Sequence, residues 1–370
     1  MIDRDELAAW LRLLETPGVG RDSARRLLAA FGTPEGVFAA PQAVWREVVA
    51  ASTVAALAKP PAAIGALLAT TLAWLGDAAN APRTVIALGD PHYPEPLLNS
   101  ADPPLLLYTQ GRSELLGANA VAVVGSRSPT PQGADNAREF ARQLSGAGFV
   151  VVSGLALGID GAAHLGALDG LAEGGASSIA VLGSGLDRVY PKRHLALARR
   201  LATDGLLLSE YPLGTPPLPP LFPQRNRIIA GLSLGTLVVE AALQSGSLIT
   251  ARLASEAGRE VFAVPGSIHS AQSRGCHALI RQGAKLVETL QDILDELRPG
   301  GVRTAAATTA AAAPEHPLLD ALGHDPVGLD ALSARTGWSA AQLSSQLLEL
   351  ELEGSVARLP GQLFQRLTRA

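Results

Sequence analysis

Between about Thr84 and Leu297, short apolar runs rich in β-branched residues alternate with segments of helical pattern. The runs are TVIALGD, PPLLLYT, AVAVVGSR, FVVVSG, SIAVLGSG, LLLSE, TLVVEA, EVFAVPG and AKLVET. Continuous apolar runs separated by helices are typical of a mainly parallel sheet covered by helices on both faces. This alternation therefore predicts a doubly wound α/β domain.

Several of these runs end in small or polar residues. Ligands of an open α/β sheet lie in the crevice beyond the carboxyl ends of the strands. We therefore expect these ends to form one floor of a binding site. They are Gly125-Ser126-Arg127, Ser153-Gly154, Gly183-Ser184-Gly185, Ser209-Glu210 and Pro265-Gly266-Ser267.

The chain before the α/β domain, residues 1–80, is helical by pattern. Its clearest part is a helix, the turn Pro17-Gly18-Val19-Gly20, and a second helix with apolar spacing. One interpretation is a helix-hairpin-helix, whose turn amides point at a DNA phosphate. The other is a plain pair of helices joined by a glycine turn.

The chain after the α/β domain changes character twice. If residues 81–298 form that domain, residues 299–314 are an Ala/Thr-rich stretch without periodicity, which predicts a flexible linker. Residues 315–370 then read as three short helices and a strand-turn-strand, the pattern of a winged helix. The third helix, SAAQLSSQLLELELEG, has three Glu and neither Arg nor Lys. A protein-contact or structural role is therefore at least as well supported for it as binding to duplex DNA.

The charge balance restricts how a nucleic acid could bind. The 370 residues are 47% hydrophobic and 17% charged, as in globular proteins, and the formal net charge is −4. Because the surface is not basic overall, a polyanion would have to be held in a local groove.

Targeting and redox features favour the cytoplasm. Cys276 is the single cysteine, which excludes an internal disulfide and a cysteine-cluster metal site. The N-terminus has no apolar segment of the signal-peptide type. The Ala/Leu-rich run Ala51–Gly76 is cut by Lys59-Pro60-Pro61 into pieces too short for a membrane span.

The common nucleotide-binding motifs do not fit. The sequence contains no P-loop motif, so we do not expect a P-loop ATPase. Gly183-Ser184-Gly185 begins like a dinucleotide fingerprint, but Arg188 stands at the third glycine position. We therefore expect no NAD and no other cofactor.

Two turns instead have the composition of phosphate-binding sites, because they combine free amides and hydroxyls with a helix start. A helix cap with a surface arginine would explain either turn alone. Their recurrence around one crevice favours phosphate binding, with further cations from Arg225, Arg227 and Lys192. The turns are Gly125-Ser126-Arg127 before a helix near Pro131, and Ser245, Gly246, Ser247 and Thr250 before another helix.

Two groups of ionisable residues have alternative explanations. Asp160 and His164 are four apart on a predicted helix, which suits a metal pair, but no third ligand is evident and Asp at a helix start is commonly a cap. Glu240 closes the run LGTLVVEA, where it could be an acid–base carboxylate or a buried Glu that accepts backbone hydrogen bonds.

The motifs resemble those of the DNA-processing protein A (DprA/Smf) family along nearly the whole chain. They occur in one order: VAVVGSR, VVSGLALGIDGAAHLGAL, IAVLGSGLDRVYP, SEYPLG, FPQRNRIIAGLS, VVEAALQSGSLITARLASEAGREVFAVPG and LIRQGA. The resemblance implies a Rossmann-like core, a helical N-terminal domain of sterile-alpha-motif type and a C-terminal winged helix.

The same resemblance implies a protein that is not an enzyme. It implies binding and protection of single-stranded DNA, loading of RecA for homologous recombination in natural transformation, and a homodimer. Two positions depart from the family pattern, since His194 and His277 stand where Asn is usual. Carried over to this sequence, the DNA-binding residues would be Gly125, Ser126, Arg127, Ser153, Gly154, Lys192, Arg225, Asn226, Arg227, Gly246, Ser247 and Thr250.

A rival interpretation comes from a different class of protein. The segment SLGTLVVEA is similar to the glycine-rich turn of lysine-decarboxylase-like phosphoribohydrolases, in which Glu240 would be the catalytic carboxylate. Ser233 stands where that motif begins with Gly, and the flanking RNR and SGSLIT segments match the DprA pattern instead. A further alternative makes the winged helix the main effector, as in a regulator of duplex DNA.

Overall fold

A nine-stranded sheet forms the centre of the protein, and each predicted apolar run contributes one strand. The computed structural model describes residues 2–77, 81–297, 316–323 and 326–367. The strands of the large sheet are β1 Arg83–Ala87, β2 Leu106–Gly111, β3 Ala120–Val124, β4 Val150–Ser153, β5 Ser178–Val181, β6 Leu206–Ser209, β7 Gly235–Val238, β8 Glu260–Ala263 and β9 Lys285–Leu286.

Six helices precede the sheet, as the helical pattern predicts. The carboxylate of Asp3 caps the first of them by accepting hydrogen bonds from Asp5 N and Glu6 N. Buried Leu7, Leu11 and Leu27 of these helices join one apolar cluster with Leu106 and Tyr108 of β2, so the helical unit packs on the core. The helices are α1 Arg4–Glu15, α2 Arg21–Phe31, α3 Pro34–Ala39, α4 Gln42–Trp45, α5 Ala51–Leu57 and α6 Ile64–Gly76.

Helices cover both faces of the sheet. The side chains of each strand alternate between these faces, so a strand contributes to the apolar clusters on both sides. Val121 and Val123 of β3 belong to one apolar cluster, while Ala122 and Val124 belong to another. The α/β fold predicted from the apolar runs is therefore confirmed. The core helices are α7 Glu95–Leu98, α8 Pro131–Gly146, α9 Ile159–Ala172, α10 Leu195–Asp204, α11 Leu221–Leu232, α12 Ser247–Glu256, α13 Arg274–Arg281 and α14 Leu290–Leu297.

The strand order of the large sheet locates a crevice. The order is β1-β2-β6-β5-β4-β3-β7-β8-β9. All neighbours from β6 to β9 are parallel, while β1 and β2 form an antiparallel edge. The chain runs outward from β3 through β4, β5 and β6, and then returns to the other side of β3 with β7. The two directions diverge between β3 and β7, which is where open α/β sheets bind ligands.

The C-terminal part is a winged helix, as predicted. Its three strands form an antiparallel sheet in the order β10-β12-β11. Ser339 and Gln342 form a capping box at the start of the third helix. The predicted linker, residues 299–314, lies outside the described residues. The elements are α15 Pro317–Leu322, β10 Val327–Gly328, α16 Leu329–Thr336, α17 Ala340–Leu352, β11 Val356–Leu359 and β12 Leu363–Arg366.

The length and composition of the described helices bear on whether the chain could cross a membrane. Within the four described ranges, none of them combines the length and the apolar composition that a bilayer span requires.

Candidate nucleic-acid interface

A cavity of about 480 Å³ opens at the carboxyl ends of β3 and β7, where the strand order reverses. We call it the β3–β7 cavity. It brings together eight of the twelve site residues predicted from the family resemblance, and adds Phe222 of α11 and Gln272 from the segment before α13. The eight predicted residues are Gly125, Ser126, Arg127, Arg225, Asn226, Gly246, Ser247 and Thr250.

The loop between β3 and α8 forms one wall of the cavity and is tied down by Glu240. The backbone carbonyl of Glu240 accepts a hydrogen bond from Ser126 N at 2.7 Å. Its carboxylate accepts two more, from Thr130 N at 2.9 Å and Thr130 Oγ1 at 2.6 Å. Burial raises the pKa of Glu240, although the Thr130 hydrogen bonds oppose the shift. Glu240 therefore braces the phosphate-type turn, as in the second of its two sequence interpretations.

The start of α12 forms the opposite wall. Gly246 is the N-cap, and Ser247 and Thr250 lie in the first turn of this helix. The Ser245 and Ser247 hydroxyl oxygens are 2.7 Å apart, which fixes the loop just before the helix. The N-terminal end of a helix carries partial positive charge and free N–H groups. This wall is therefore suited to an anion.

Arg225 forms the base of the cavity, and its guanidinium is only partly paired. The side chain is 5% exposed, and Nη2 donates a hydrogen bond to Gly154 O at 2.9 Å. Asp160 Oδ2 is 3.9 Å from Nη2. Among the described residues, neither Nε nor Nη1 of Arg225 has a hydrogen-bond partner. Nε and Nη1 therefore keep hydrogen-bonding capacity that the described residues do not use.

The loop after β4 holds Arg225 in place. Asp160 accepts hydrogen bonds from Gly154 N at 3.1 Å and Ala156 N at 3.3 Å, and burial raises its pKa while Arg225 opposes the shift. A Cβ at position 154 would lie 1.4 Å from Arg225 Nη1. Glycine is therefore required at position 154 if the guanidinium is to keep this position.

His164 supports the same loop from beneath. Its Nε2 accepts a hydrogen bond from Leu155 N at 3.3 Å, and its Nδ1 is 2.7 Å from Ser178 Oγ. Burial lowers the pKa of His164 to about 3, so the ring is neutral at ordinary pH. No cluster of three or more His, Cys, Asp or Glu suited to a metal ion occurs in the described part of the chain. The i, i+4 spacing of Asp160 and His164 thus corresponds to two loop-holding side chains.

The half-buried Phe222 and the exposed Tyr190 extend the rim of the cavity. The Arg127 guanidinium lies 5.6 Å from the centre of the Phe222 ring. The rings of Phe222 and Tyr190 are also 5.6 Å apart, at an interplanar angle of 36°. Tyr190 is 51% exposed, and the exposed Lys192 follows two residues later. The sequence-based site did not include these rings, although Phe222 lies three residues before Arg225 and Tyr190 lies two residues before Lys192.

Two family models match this chain. The family model described as DNA recombination-mediator protein A matches residues 84–298. This chain belongs to the DNA recombination-mediator protein A family. A second model, the DprA winged helix domain, matches residues 302–362.

Relatives of this recombination-mediator family cover most of the chain. Protein Smf of Escherichia coli is 44% identical over 288 residues, which is 75% of this chain and 76% of that protein. DNA processing protein DprA of Streptococcus pneumoniae is 50% identical over 207 residues, 56% of this chain and 72% of that protein.

Solved structures of the DprA proteins share the fold. The Streptococcus pneumoniae DprA structure has a TM-score of 0.62 at 38% identity, and covers 80% of this chain and 98% of its own. The structure of DNA processing protein A from Helicobacter pylori has a TM-score of 0.52 at 31% identity, and covers 58% of this chain and 95% of its own. That structure concerns the single-stranded DNA binding mode of the Helicobacter protein.

Four predicted DprA-type site residues lie outside the cavity lining. Ser153 is fully buried and donates a hydrogen bond to Val123 O, so it supports the sheet. Gly154 provides the carbonyl that holds Arg225. Lys192 is exposed in a short 3₁₀ turn beyond the aromatic rim. Arg227 contacts Asp102 and Glu210 instead of the cavity.

Arg225 and Arg227, both predicted from the sequence to bind DNA, therefore have different surroundings, and DNA binding by Arg227 stays a prediction. Both lie on helix α11, and two positions along a helix differ by about 200° in direction. Arg225 and Asn226 line the cavity, and Arg227 does not. The sequence alone could not decide between a helix and an extended segment here.

The two histidines that depart from the DprA family pattern both contact backbone. His194 Nδ1 is 3.0 Å from Leu155 O, on the loop that carries Gly154. His277 Nε2 is 3.0 Å from Gly266 O. A side-chain amide also offers polar atoms to a backbone carbonyl, so each histidine can replace the usual Asn as a loop-holding group.

Proposed function

We propose that this protein binds single-stranded DNA through the β3–β7 cavity and its aromatic rim, and helps RecA assemble on that strand during homologous recombination. The observation that carries the proposal is a cavity that brings together the Arg225 side chain, a glycine turn and a helix start. Such an arrangement favours an anion, and its position at the reversal of strand order favours a bound ligand.

The chemistry of the cavity matches a phosphate group. Gly125 and Ser126 offer the turn after β3, Ser247 and Thr250 offer hydroxyls at the positive end of α12, and Arg127 offers an exposed guanidinium. Asp160 is the one carboxylate in the lining, and it is paired with Arg225 and with backbone amides. An incoming phosphate would therefore meet donors in preference to free negative charge.

The chemistry of the rim matches an unpaired base. Arg127, Phe222 and Tyr190 form a continuous strip from the cavity to the surface. Bases of a single strand stack on exposed aromatic rings, and the bases of a duplex cannot do so while they remain paired. The strip therefore favours single strands over duplexes, and it favours no particular base sequence.

The wider proposal follows the family pattern. We propose a homodimer that acts with RecA in the cytoplasm, where the unpaired Cys276, buried beneath Val238 and Val239, would remain reduced. We keep four segments as proposed units: 1–80 helical, 81–298 Rossmann-like, 299–314 linker and 315–370 winged helix. The winged helix would contact a protein or duplex DNA and would not be needed for binding to the single strand.

We also propose that the cavity is not catalytic. The Glu240 carboxylate accepts two hydrogen bonds from Thr130 and does not belong to the cavity lining. A phosphoribohydrolase would release free base from AMP or CMP, and Glu240→Gln would abolish that release. We expect no release above the rate of the nucleotide alone, and turnover that depends on Glu240 would overturn this part of the proposal.

The test of the main proposal is binding of fluorescent oligo-dT, followed by anisotropy over a range of salt, with unlabelled duplex as competitor. We expect preference for the single strand and a linear fall of log affinity with log salt, about 0.7 per phosphate neutralised. Arg127→Ala should weaken binding about tenfold and make the slope shallower by about one phosphate.

Arg252→Ala is the matched control. Arg252 lies on the same helix α12 as Ser247, but it pairs with Glu256 at 3.4 Å, is 69% exposed and lies outside the cavity lining. It should leave both affinity and slope unchanged. The cavity is not the DNA site if the protein fails to bind single strands. The same conclusion follows if Arg252→Ala weakens binding as much as Arg127→Ala does. RecA assembly on the same oligonucleotide, with and without the protein, tests the loading step separately.

A further inference from the structure

Arg227 connects the site helix α11 to the helical N-terminal unit. Its Nη1 donates a hydrogen bond to Asp102 O at 2.5 Å, and its Nε is 3.1 Å from Asp102 Oδ2. Its Nη2 donates to Glu210 Oε2, just after β6. The Arg227 side chain is 13% exposed and that of Glu210 is 6% exposed. This contact is thus largely removed from solvent, where screening by salt is weak.

Asp102 receives two more guanidiniums, both from helix α2 of the N-terminal unit. Arg21 Nε is 2.8 Å from Asp102 Oδ2, and Arg25 Nη1 is 2.5 Å from Asp102 Oδ1. Burial alone would raise the pKa of Asp102, but the charges of Arg227, Arg25 and Arg21 outweigh it and hold the pKa below its ordinary value. Asp102 is therefore a carboxylate shared between α2 and α11.

Helix α11 joins this network to the β3–β7 cavity. Phe222, Arg225 and Asn226 line the cavity, and Arg227 occupies the network on another side of the same helix. Ile228 and Ile229, which directly follow Arg227, are buried in the core. Because backbone hydrogen bonds keep the residues of a helix in fixed geometry, a displacement of α11 at Arg227 would also displace Phe222 and Arg225.

We infer that Arg227 is a positioning residue, which ties the single-strand site on α11 to the N-terminal helical unit through Asp102 and Glu210. The inference rests on the proposed single-strand function for its consequence, and on the contacts above for its geometry. It replaces the direct phosphate contact that the sequence suggested for Arg227.

The two roles predict opposite effects of removing Asp102. If the residues around Asp102 acted on DNA by charge, loss of a carboxylate would strengthen binding of a polyanion. If they position α11, loss of Asp102 releases three guanidiniums from their shared partner and weakens binding. We expect Asp102→Ala to weaken binding of oligo-dT about fivefold or more, with the slope of log affinity against log salt unchanged. Stronger or unaltered binding would overturn the inference.

Arg227→Ala gives a second comparison. Positioning predicts weaker binding with an unchanged salt slope, whereas a phosphate contact would make the slope shallower by about 0.7. Should Arg227→Ala fail to fold, the milder Asp102→Asn and the partly exposed Arg21→Ala decide instead, with the same expected result. Arg26→Ala is the matched control, because Arg26 lies on α2 but pairs with Asp22 on its own helix.

A measurement without DNA separates this inference from the proposed function. Hydrogen exchange of the backbone amides of Leu221–Leu232 should be faster in Asp102→Ala than in the wild type, and unchanged in Arg26→Ala. If the wild type does not bind oligo-dT, the proposed function fails while this exchange result still decides whether the network positions α11. Equal exchange in Asp102→Ala and wild type would refute the positioning role directly.

Discussion

The β3–β7 cavity and the winged-helix unit differ in how deeply their charged side chains are buried. Around the cavity, Arg225 and Asp160 are buried with side-chain exposures of 5% and 9%. On helix α17 of the winged helix, Glu349 and Glu351 are fully surface residues beside the exposed Leu348 and Leu352. Burial of charge costs folding free energy, so it persists where a function or a fixed geometry requires it. Exposed charge costs little and sets only the surface potential.

This difference favours the cavity as the region that would hold a DNA strand in the proposed function. The cavity is lined by Arg127 and by the start of α12, while α17 presents carboxylates and contains neither Lys nor Arg. In many winged helices the third helix enters the DNA groove, but an acidic helix would repel the phosphates that line it. Substitutions near the cavity should therefore have large effects, and those on α17 small ones.

The largest effect should come from removing the buried guanidinium. Arg225→Met leaves Asp160 buried without its counter-charge, which typically costs about 3–5 kcal/mol of the free energy of unfolding. Urea unfolding followed by circular dichroism at pH 7.5 measures it. Arg127→Met is the control, because Arg127 is exposed and its loss should change stability by less than about 0.5 kcal/mol.

The double variant Arg225→Met/Asp160→Asn tests the cause of that loss. Because the second change removes the unpaired charge, it should restore part of the stability that Arg225→Met loses. If the two substitutions destabilise additively, the Asp160 charge is not what Arg225 compensates, and the contrast with α17 loses its energetic basis.

The second effect is a pH dependence set by His164. Its folded-state pKa of about 3 lies below the ordinary value of 6.5, so the unfolded chain binds the extra proton. Stability is then fully present above about pH 6.5 and falls at lower pH by up to about 1.4 kcal/mol per unit, or roughly 2 kcal/mol at pH 5.

His164→Gln removes the group that binds this extra proton in the unfolded chain. The variant should be less stable than wild type at pH 7.5, because a glutamine does not reproduce both contacts to Leu155 N and Ser178 Oγ. Its stability should nevertheless depend less on pH between 7.5 and 5. Parallel curves for the two proteins in urea unfolding at several pH values would exclude His164 as the source.

The sequence predicted the strands well and the side-chain directions poorly, and of the five strand ends expected to form one floor, Gly125-Ser126-Arg127 lines the cavity. Every apolar run became a strand, because a strand buried on both faces leaves a continuous apolar signature that depends only on neighbouring residues. The glycine turn at Gly125 and the helix start at Ser247 were likewise local signals. Both line the cavity in the structure.

Arg225 and Arg227 show what the sequence could not give. Their charge suggested phosphate contact for both, but the partner of Arg227 is Asp102, far away along the chain. Nothing local to the RNR segment indicates that pairing. The aromatic rim was missed for a related reason, since Tyr190 and Phe222 meet only through tertiary packing.

The third effect concerns the apolar groups exposed in the two regions. Phe222→Ala removes the ring between Arg127 and Tyr190, and stacking of one base is worth about 1–3 kcal/mol. We expect oligo-dT affinity to fall about tenfold with the salt slope unchanged. Phe222→Tyr keeps the ring and should bind like the wild type. Leu348→Ala, on α17, should also leave affinity unchanged, and an equal loss there would erase the distinction between the two regions.

The smallest effect should come from the carboxylates of α17. The double variant Glu349→Gln/Glu351→Gln removes two surface charges and preserves the size of both side chains. If the cavity holds the strand, oligo-dT affinity should change less than twofold, because exposed charges more than a Debye length away, about 8 Å at physiological salt, are screened. The anisotropy titration at two salt concentrations measures this, with Arg127→Ala as the variant that must lose affinity. If neutralising α17 instead strengthens binding tenfold or more at low salt, the strand passes close to the winged helix, and the acidic helix takes part in setting the affinity for DNA.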